Sequence, residues 1–264
     1  MLKETSNATK AAMLSIVVLG ATTLAASTLF MSSFFATVGF SLIFWGAVLL
    51  YITPTGNDLL GLINAASEAS SANIERILTE YNLSQQGLYL PTENKVGLFN
   101  KLTPLESAES VLIFFPTTQI SQKSTSRARF VLNGGLYINP PGEALCKMIE
   151  RKIGRSFSTI DLQKFTKIMP IILTKYLKLA ETVEIRIEQE IITVDITNNI
   201  LEKICQETSK KPKTHKQVGC LLSSAIACAL TKVSGKPIAL KNEICDVETN
   251  TTKVKYQIMS DIGN

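Results

Sequence analysis

Residues 11–52 read AAMLSIVVLGATTLAASTLFMSSFFATVGFSLIFWGAVLLYI, and no charged residue interrupts them; the first after Lys10 is Asp58. A bilayer core takes about 20 apolar residues per helix, so a run of this length is two crossings. The pair Ser32–Ser33 divides it into spans near 11–31 and 34–53, and Pro54, Thr55 and Gly56 stop the second. Every backbone polar group in lipid must be bonded internally, which makes a tight helical hairpin the simplest solution. Gly20, Ala21, Ala25 and Ala26 on the first span, with Gly39 and Gly46 on the second, predict a close approach of the two helices. Trp45 and Tyr51 lie toward the exit of the second span, where interfacial aromatics gather.

Orientation follows from the positive charges. Lys3 and Lys10 precede the run, the break between the spans has none, and the other 25 of the 27 lysines and arginines follow it. That distribution predicts a multi-pass protein of the cell membrane with both termini in the cytoplasm. A cleaved signal peptide, with cleavage near Ala25–Ala26–Ser27, is the competing reading. It would leave a second apolar segment almost at the new N-terminus, and Glu4 is unusual ahead of a signal's apolar region.

The remainder has an ordinary soluble composition; the chain's charged fraction of 19% falls below the roughly 25% of soluble domains because of the hairpin. Residues 1–10 are a tail and 54–81 a juxtamembrane helix, with Leu59, Ile63, Ala66, Ile74, Ile77, Leu78 and Tyr81 at helical spacings. Residues 82–264 form the cytoplasmic domain. Short apolar runs at Gly87–Pro91, Val96–Leu102, Val111–Phe115, Phe130–Leu132 and Leu136–Ile138 predict strands, with a polar loop at Ser121–Arg129 and a turn at Asn133–Gly135. A helix over 142–153 follows, and Ser158 or Thr159 caps another that Pro170 kinks or divides. Val183, Ile185 and Ile187, then Ile192, Val194 and Ile196, alternate with polar residues as in a hairpin with one wet face. Helices at 198–207 and 218–233, with a basic linker at 208–217 between them, lead to strands at 236–245 and 253–259. The fold class is therefore α+β, an antiparallel sheet packed by helices behind a transmembrane hairpin.

Chemistry is sparse. The chain has one histidine, His215, and no G-x-S-x-G elbow, dinucleotide fingerprint or phosphate loop, so neither catalytic residues nor a cofactor are expected. Five cysteines in a cytoplasmic domain should be free thiols. Zinc sites favour close pairs such as C-x₂-C, whereas Cys205, His215, Cys220 and Cys245 are scattered and make a site only if the fold gathers them; the expectation is no metal. Lys210, Lys211, Lys213 and Lys216 crowd a stretch without acidic residues. They suit anionic lipid headgroups better than nucleic acid, since no aromatic side chain is interleaved for base stacking.

The segments Leu88–Tyr89–Leu90–Pro91, Leu136–Tyr137–Ile138–Asn139–Pro140–Pro141–Gly142 and Gly219–Cys228 (GCLLSSAIAC) carry the first of two resemblances. Taken whole, the chain resembles an uncharacterised family of archaeal membrane proteins with a two-span hairpin and a cytoplasmic domain of unknown function. Residues of about 180–259, through their order of hairpin, small-residue helix, Gly235–Lys236–Pro237, and a strand with Glu243 and Cys245, are similar to the vinyl-reductase-like ligand-binding domain. That resemblance implies a ligand pocket, for which Cys220, Ser223, Ser224, Cys228, Glu243 and Cys245 are the candidate lining residues. Lys255 stands where that family carries a further cysteine, so no metal or thiol chemistry is carried over.

The expected function is a membrane-tethered, non-enzymatic binding or sensor module for a small apolar ligand or lipid. A scaffold recruiting cytoplasmic partners, or dimerising, is the alternative, and an enzyme with an unrecognised site the third. Cysteine accessibility checks the topology. In intact cells Ser6→Cys and Ser260→Cys should both escape a membrane-impermeant thiol reagent, and labelling of position 260 from outside contradicts the hairpin.

Overall fold

The computed structural model describes residues 2–52, 56–91, 110–116, 131–132, 135–246 and 248–259. The expected strand at Val96–Leu102, the loop at Ser121–Arg129 and the Asn133–Gly134 part of the turn lie outside the described residues. The chain forms two units, one ending at Ala65 and one beginning at Ala66.

In the first unit α1 (Leu2–Phe30) and α2 (Ser33–Ile52) are separated by a turn at Met31, whose φ is 45°. The helices meet at their glycines. A Cβ on Gly39 would lie 2.8 Å from the Leu24 amide nitrogen, and one on Gly20 2.9 Å from that of Ile43. The glycines therefore do what their positions predict, bringing backbone against backbone, whereas Ala21 and Ala25 remain exposed. Both helices are long and apolar enough to cross a membrane, and only 6% and 11% of their apolar windows are buried within the chain. The outward surface, with Leu14, Phe34, Phe44, Trp45 and Tyr51, is apolar and exposed. Pro212–Ser234 is also long and apolar, yet 78% of its window is buried, so it is core.

The second unit takes up α3 (Gly56–Glu80) from Ala66 onward and builds one eight-stranded antiparallel sheet in the order β3-β4-β2-β1-β7-β8-β6-β5. The strands are β1 (Leu88–Pro91), β2 (Val111–Pro116), β3 (Val131–Leu132), β4 (Gly135–Ile138), β5 (Thr182–Glu188), β6 (Ile191–Thr197), β7 (Ile238–Asp246) and β8 (Thr251–Ile258). The helices are α4 (Glu143–Ile153), α5 (Leu162–Ile171), α6 (Glu202–Ser209), α7 (Pro212–Gln217) and α8 (Leu221–Ser234). The period-two pattern places Ile192, Val194 and Ile196 with Val254 and Tyr256 on the covered face. Glu184, Arg186, Asp195 and Lys253 form an ion-paired ladder on the wet face.

Three boundaries differ from expectation. Asp161, rather than Ser158 or Thr159, caps α5 by accepting from the Lys164 N–H at 2.7 Å, because Phe157–Thr159 is a separate 3₁₀ turn. Pro170 divides its helix by converting the next turn, Ile172–Tyr176, to π geometry rather than ending it. The basic stretch 208–217 is no linker: Pro212 opens α7, with Thr214 and Gln217 buried.

The three segments that carry the first resemblance converge on α8. Ser224 Oγ lies 2.9 Å from Tyr89 Oη and accepts from the Gly142 N–H at 3.1 Å, while Tyr89 donates to the Val218 carbonyl at 2.6 Å. A Cβ on Gly142 would sit 2.0 Å from the Ala225 nitrogen, so the Pro–Pro–Gly turn rests directly on the helix backbone. Lys232 on α8 pairs with Glu150 at 2.7 Å with both side chains nearly buried, and Glu150 also accepts from Ser156 and Phe157. Gly142→Ala should therefore cost about 1–3 kcal/mol by overpacking. For a domain of this size that is about 2–4 °C of Tm per kcal/mol. An unchanged melting temperature contradicts the contact.

Candidate functional site

A residue-count slip in β7 creates the site. Leu240 pairs with Tyr256 but the next pair is Asn242 with Lys255, so Lys241 is an extra, bulged residue. Strict alternation from Ile238 and Leu240 would put Asn242 and Ile244 inside. The bulge reverses the parity, leaving Asn242 and Ile244 exposed and turning Glu243 and Cys245 inward opposite Val254 and Thr252.

Above them lie α6 and α7. Cys205 on α6, His215 on α7, and Glu243 and Cys245 on β7 bring one ligand atom each to within 4.8 Å of all the others. Cys205 and Cys245 are joined as a disulfide with their Cα atoms 6.7 Å apart, contrary to the expectation of five free thiols. Cys205 Sγ is also 3.5 Å from Glu243 Oε1, a distance at which its thiol would donate in the reduced form. His215 Nε2 stands 3.6 Å from Glu243 Oε2; it is buried and has no hydrogen-bond partner.

The Glu243 side chain has no exposed surface, and among the described residues no lysine or arginine pairs with it. Removing a carboxyl group from water is costly unless partners replace the solvent. One is the Cys220 backbone N–H, which donates to Oε2 at 3.0 Å. Gly219 makes that approach possible. Its φ of +83° favours glycine, and a Cβ there would meet Leu240 and Ser223 at 2.6 Å and Glu243 Oε2 at 3.0 Å.

The same short α7 is held from its other side. Thr214 donates to Glu75 Oε2 of α3 twice, from its N–H at 2.7 Å and its hydroxyl at 2.8 Å. An acidic side chain thus satisfies a first-turn amide of α7 and complements that end of the helix. Lys211 donates to the Glu68 carbonyl at 3.0 Å, and Gln217 to that of Leu83 at 3.0 Å.

The other candidate residues are placed as follows. Cys220, Ser223, Ser224 and Cys228 are buried on and before α8, and the polar atoms of the first three serve its packing. Tyr256 donates to the Ser223 carbonyl at 2.8 Å. Cys220 is not one of the four gathered donors; Glu243 stands with Cys205, His215 and Cys245 instead, and Cys220 meets that carboxyl group through both its backbone N–H and its thiol. The expected absence of a metal site rested on spacing, and the fold gathers a donor set that spacing does not reveal. Of the four lysines, Lys210 pairs with Glu207 at 2.7 Å, Lys211 is spent on α3, Lys213 is half-buried and Lys216 is exposed.

Chain-wide comparison adds a family and no activity. Residues 2–257 match the domain of unknown function DUF7982, and the chain belongs to that family. No curated protein and no solved structure matches it.

Thiol reactivity checks the burial. The Cys146 thiol is pushed up to about 12, by burial first and by the Glu150 carboxylate second. Burial likewise raises Cys220 and Cys228. Thiolate is the nucleophile, and at pH 8 a group of pKa about 12 is ionised in roughly one molecule in ten thousand. The folded, unreduced protein should therefore consume almost no alkylating reagent at pH 8. Reduction should expose Cys245 first, and Cys146, Cys220 and Cys228 should react only on unfolding. Rapid modification of any of these three in the native state contradicts the packing.

Proposed function

We propose that this DUF7982 protein is a membrane-tethered, non-enzymatic sensor module. Its sensing element is the Cys205–His215–Glu243–Cys245 cluster and its output is α3, the helix that follows the hairpin in sequence. The observation that carries this reading is the double use of α7. One side of that six-residue helix presents His215 to the cluster, and Thr214 beside it is bonded to Glu75 of α3. A change in what His215 faces has a short mechanical route to α3, through a helix too short to deform independently of its two anchors.

The lysine distribution supports a cytoplasmic location for both termini and the domain. The resemblance read from the sequence of about residues 180–259 to the vinyl-reductase-like ligand-binding domain supports a binding role. The donor atoms of the cluster favour an ionic ligand over an apolar one, since the serines and cysteines of α8 are engaged in packing.

Hydrogen exchange of the full chain in detergent tests the coupling. Residues 66–80 of α3 should exchange differently in reduced and oxidised protein. Thr214→Val, which removes one bond worth about 1 kcal/mol, should shrink that difference. Identical exchange of α3 in both states contradicts the sensor reading.

A further inference from the structure

The donor set at the α6–α7–β7 junction is two sulfurs, one imidazole nitrogen and one carboxylate oxygen, contributed by Cys205, Cys245, His215 and Glu243. From these residues we propose that the reduced domain binds one thiophilic divalent cation, of the zinc class, in a closed four-ligand site. The inference rests on reading the cluster as the sensing element, and it names what is sensed.

The geometry fits one ion. Tetrahedral zinc with bonds of about 2.0–2.3 Å has ligand-to-ligand edges of about 3.3–3.8 Å. The four atoms already lie within 4.8 Å of one another, so small rotamer changes, with the two sulfurs parted, bring them to a common centre. Two further observations point to a ligand rather than to a chance grouping. His215 Nε2 is buried with no hydrogen bond and faces the cluster. The Glu243 side chain is fully buried without a lysine or arginine partner among the described residues. A cation at the centre satisfies both. Mixed sulfur, nitrogen and oxygen donors select zinc over magnesium or calcium, which prefer all-oxygen sites. Four protein ligands leave no open position, so the ion is held rather than used for catalysis. The Cys220 N–H orients the Glu243 carboxylate from behind, as outer partners of metal ligands do.

The disulfide is the alternative state of the same two sulfurs. Attack of the zinc-bound Cys205 and Cys245 thiolates on a low-molecular-weight disulfide, RSSR, forms the Cys205–Cys245 bond. It breaks the R–S–S–R bond, releases two RS⁻ and sets free Zn²⁺. Both electrons pass to RSSR, and charge balances. Metal and disulfide therefore exclude each other, which makes occupancy dependent on thiol redox state.

The test uses the full chain in detergent, reduced and stripped, titrated with Co²⁺ as a spectroscopic probe and then with Zn²⁺. One equivalent of Co²⁺ should produce thiolate-to-cobalt charge transfer and tetrahedral d–d bands, and Zn²⁺ should displace it. Cys245→Ser and His215→Ala should each weaken binding by more than about a hundredfold, beyond the loss typical of outer-shell changes. Cys228→Ala, remote from the site, should leave it unaltered. Cys245→Ser replaces one atom at a partly exposed position, so its fold, read by melting, serves as the control for His215→Ala. Oxidised glutathione should release the zinc as two thiols disappear. Absence of thiolate–cobalt bands in folded, reduced wild type, or binding that survives both ligand variants, overturns the site. Zinc retained after the disulfide has formed overturns the exclusion. Stoichiometric zinc with no effect on α3 exchange leaves the site standing and removes the sensor reading instead.

Discussion

A carboxyl group with no exposed surface sits on β7 at Glu243, and the local structure is arranged around the cost of having it there. Water is the cheapest partner for such a group, and the fold denies it. The substitutes around it are one hydrogen-bonding backbone amide, delivered beside the left-handed Gly219, and the packed but unbonded imidazole of α7 and disulfide sulfurs of Cys205 and Cys245. Each substitute fixes an element. Gly219 sets the path from α7 into α8, and His215 requires α7 to be a helix at that spot. The bulge at Lys241 is what aims the carboxyl group inward in the first place.

Buried polar constellations of this kind are weak contributors to stability and strong determinants of specificity, because a half-satisfied network costs more than an apolar core. That asymmetry suits the proposed role of the cluster as a site that changes state. Elsewhere the domain is conventional. Tyr89, Gly142 and Ser224 lock β1, the Pro–Pro–Gly turn and α8 together, and the buried Lys232–Glu150 pair ties α8 to α4. The segments that carry the first resemblance thus hold the core, whereas the cluster takes Glu243 and Cys245 from β7 and adds Cys205 and His215 at no motif spacing.

The helical hairpin, the strand hairpin β5–β6 and the α+β class were legible because each rests on periodicity or length within one segment. Gly39 and Gly20 announced the helix contact by their size alone. The site was not legible, for three identifiable reasons. His215 lay in a lysine-rich stretch that reads as solvated, and α7 becomes a helix through Glu75, more than a hundred residues away in sequence. Glu243 was a pocket candidate only through the second resemblance, since the bulge that turns it inward shows only in the register against β8. The conceivable four-residue set read from the sequence contained Cys220, which in the fold accepts from Ser223 and lies against Glu243 without joining the gathered donors. The Gly219 φ of +83° was the one local clue, a glycine whose conformation is demanded by a neighbour not visible in sequence.

The most direct measurement of the central claim is X-ray absorption at the zinc edge on full-length protein purified under reducing conditions. The account predicts a mixed first shell of two sulfur scatterers at about 2.3 Å and two nitrogen or oxygen scatterers at about 2.0–2.1 Å. A shell of nitrogen and oxygen alone, or protein that carries no zinc when reduced and supplied with it, would contradict it.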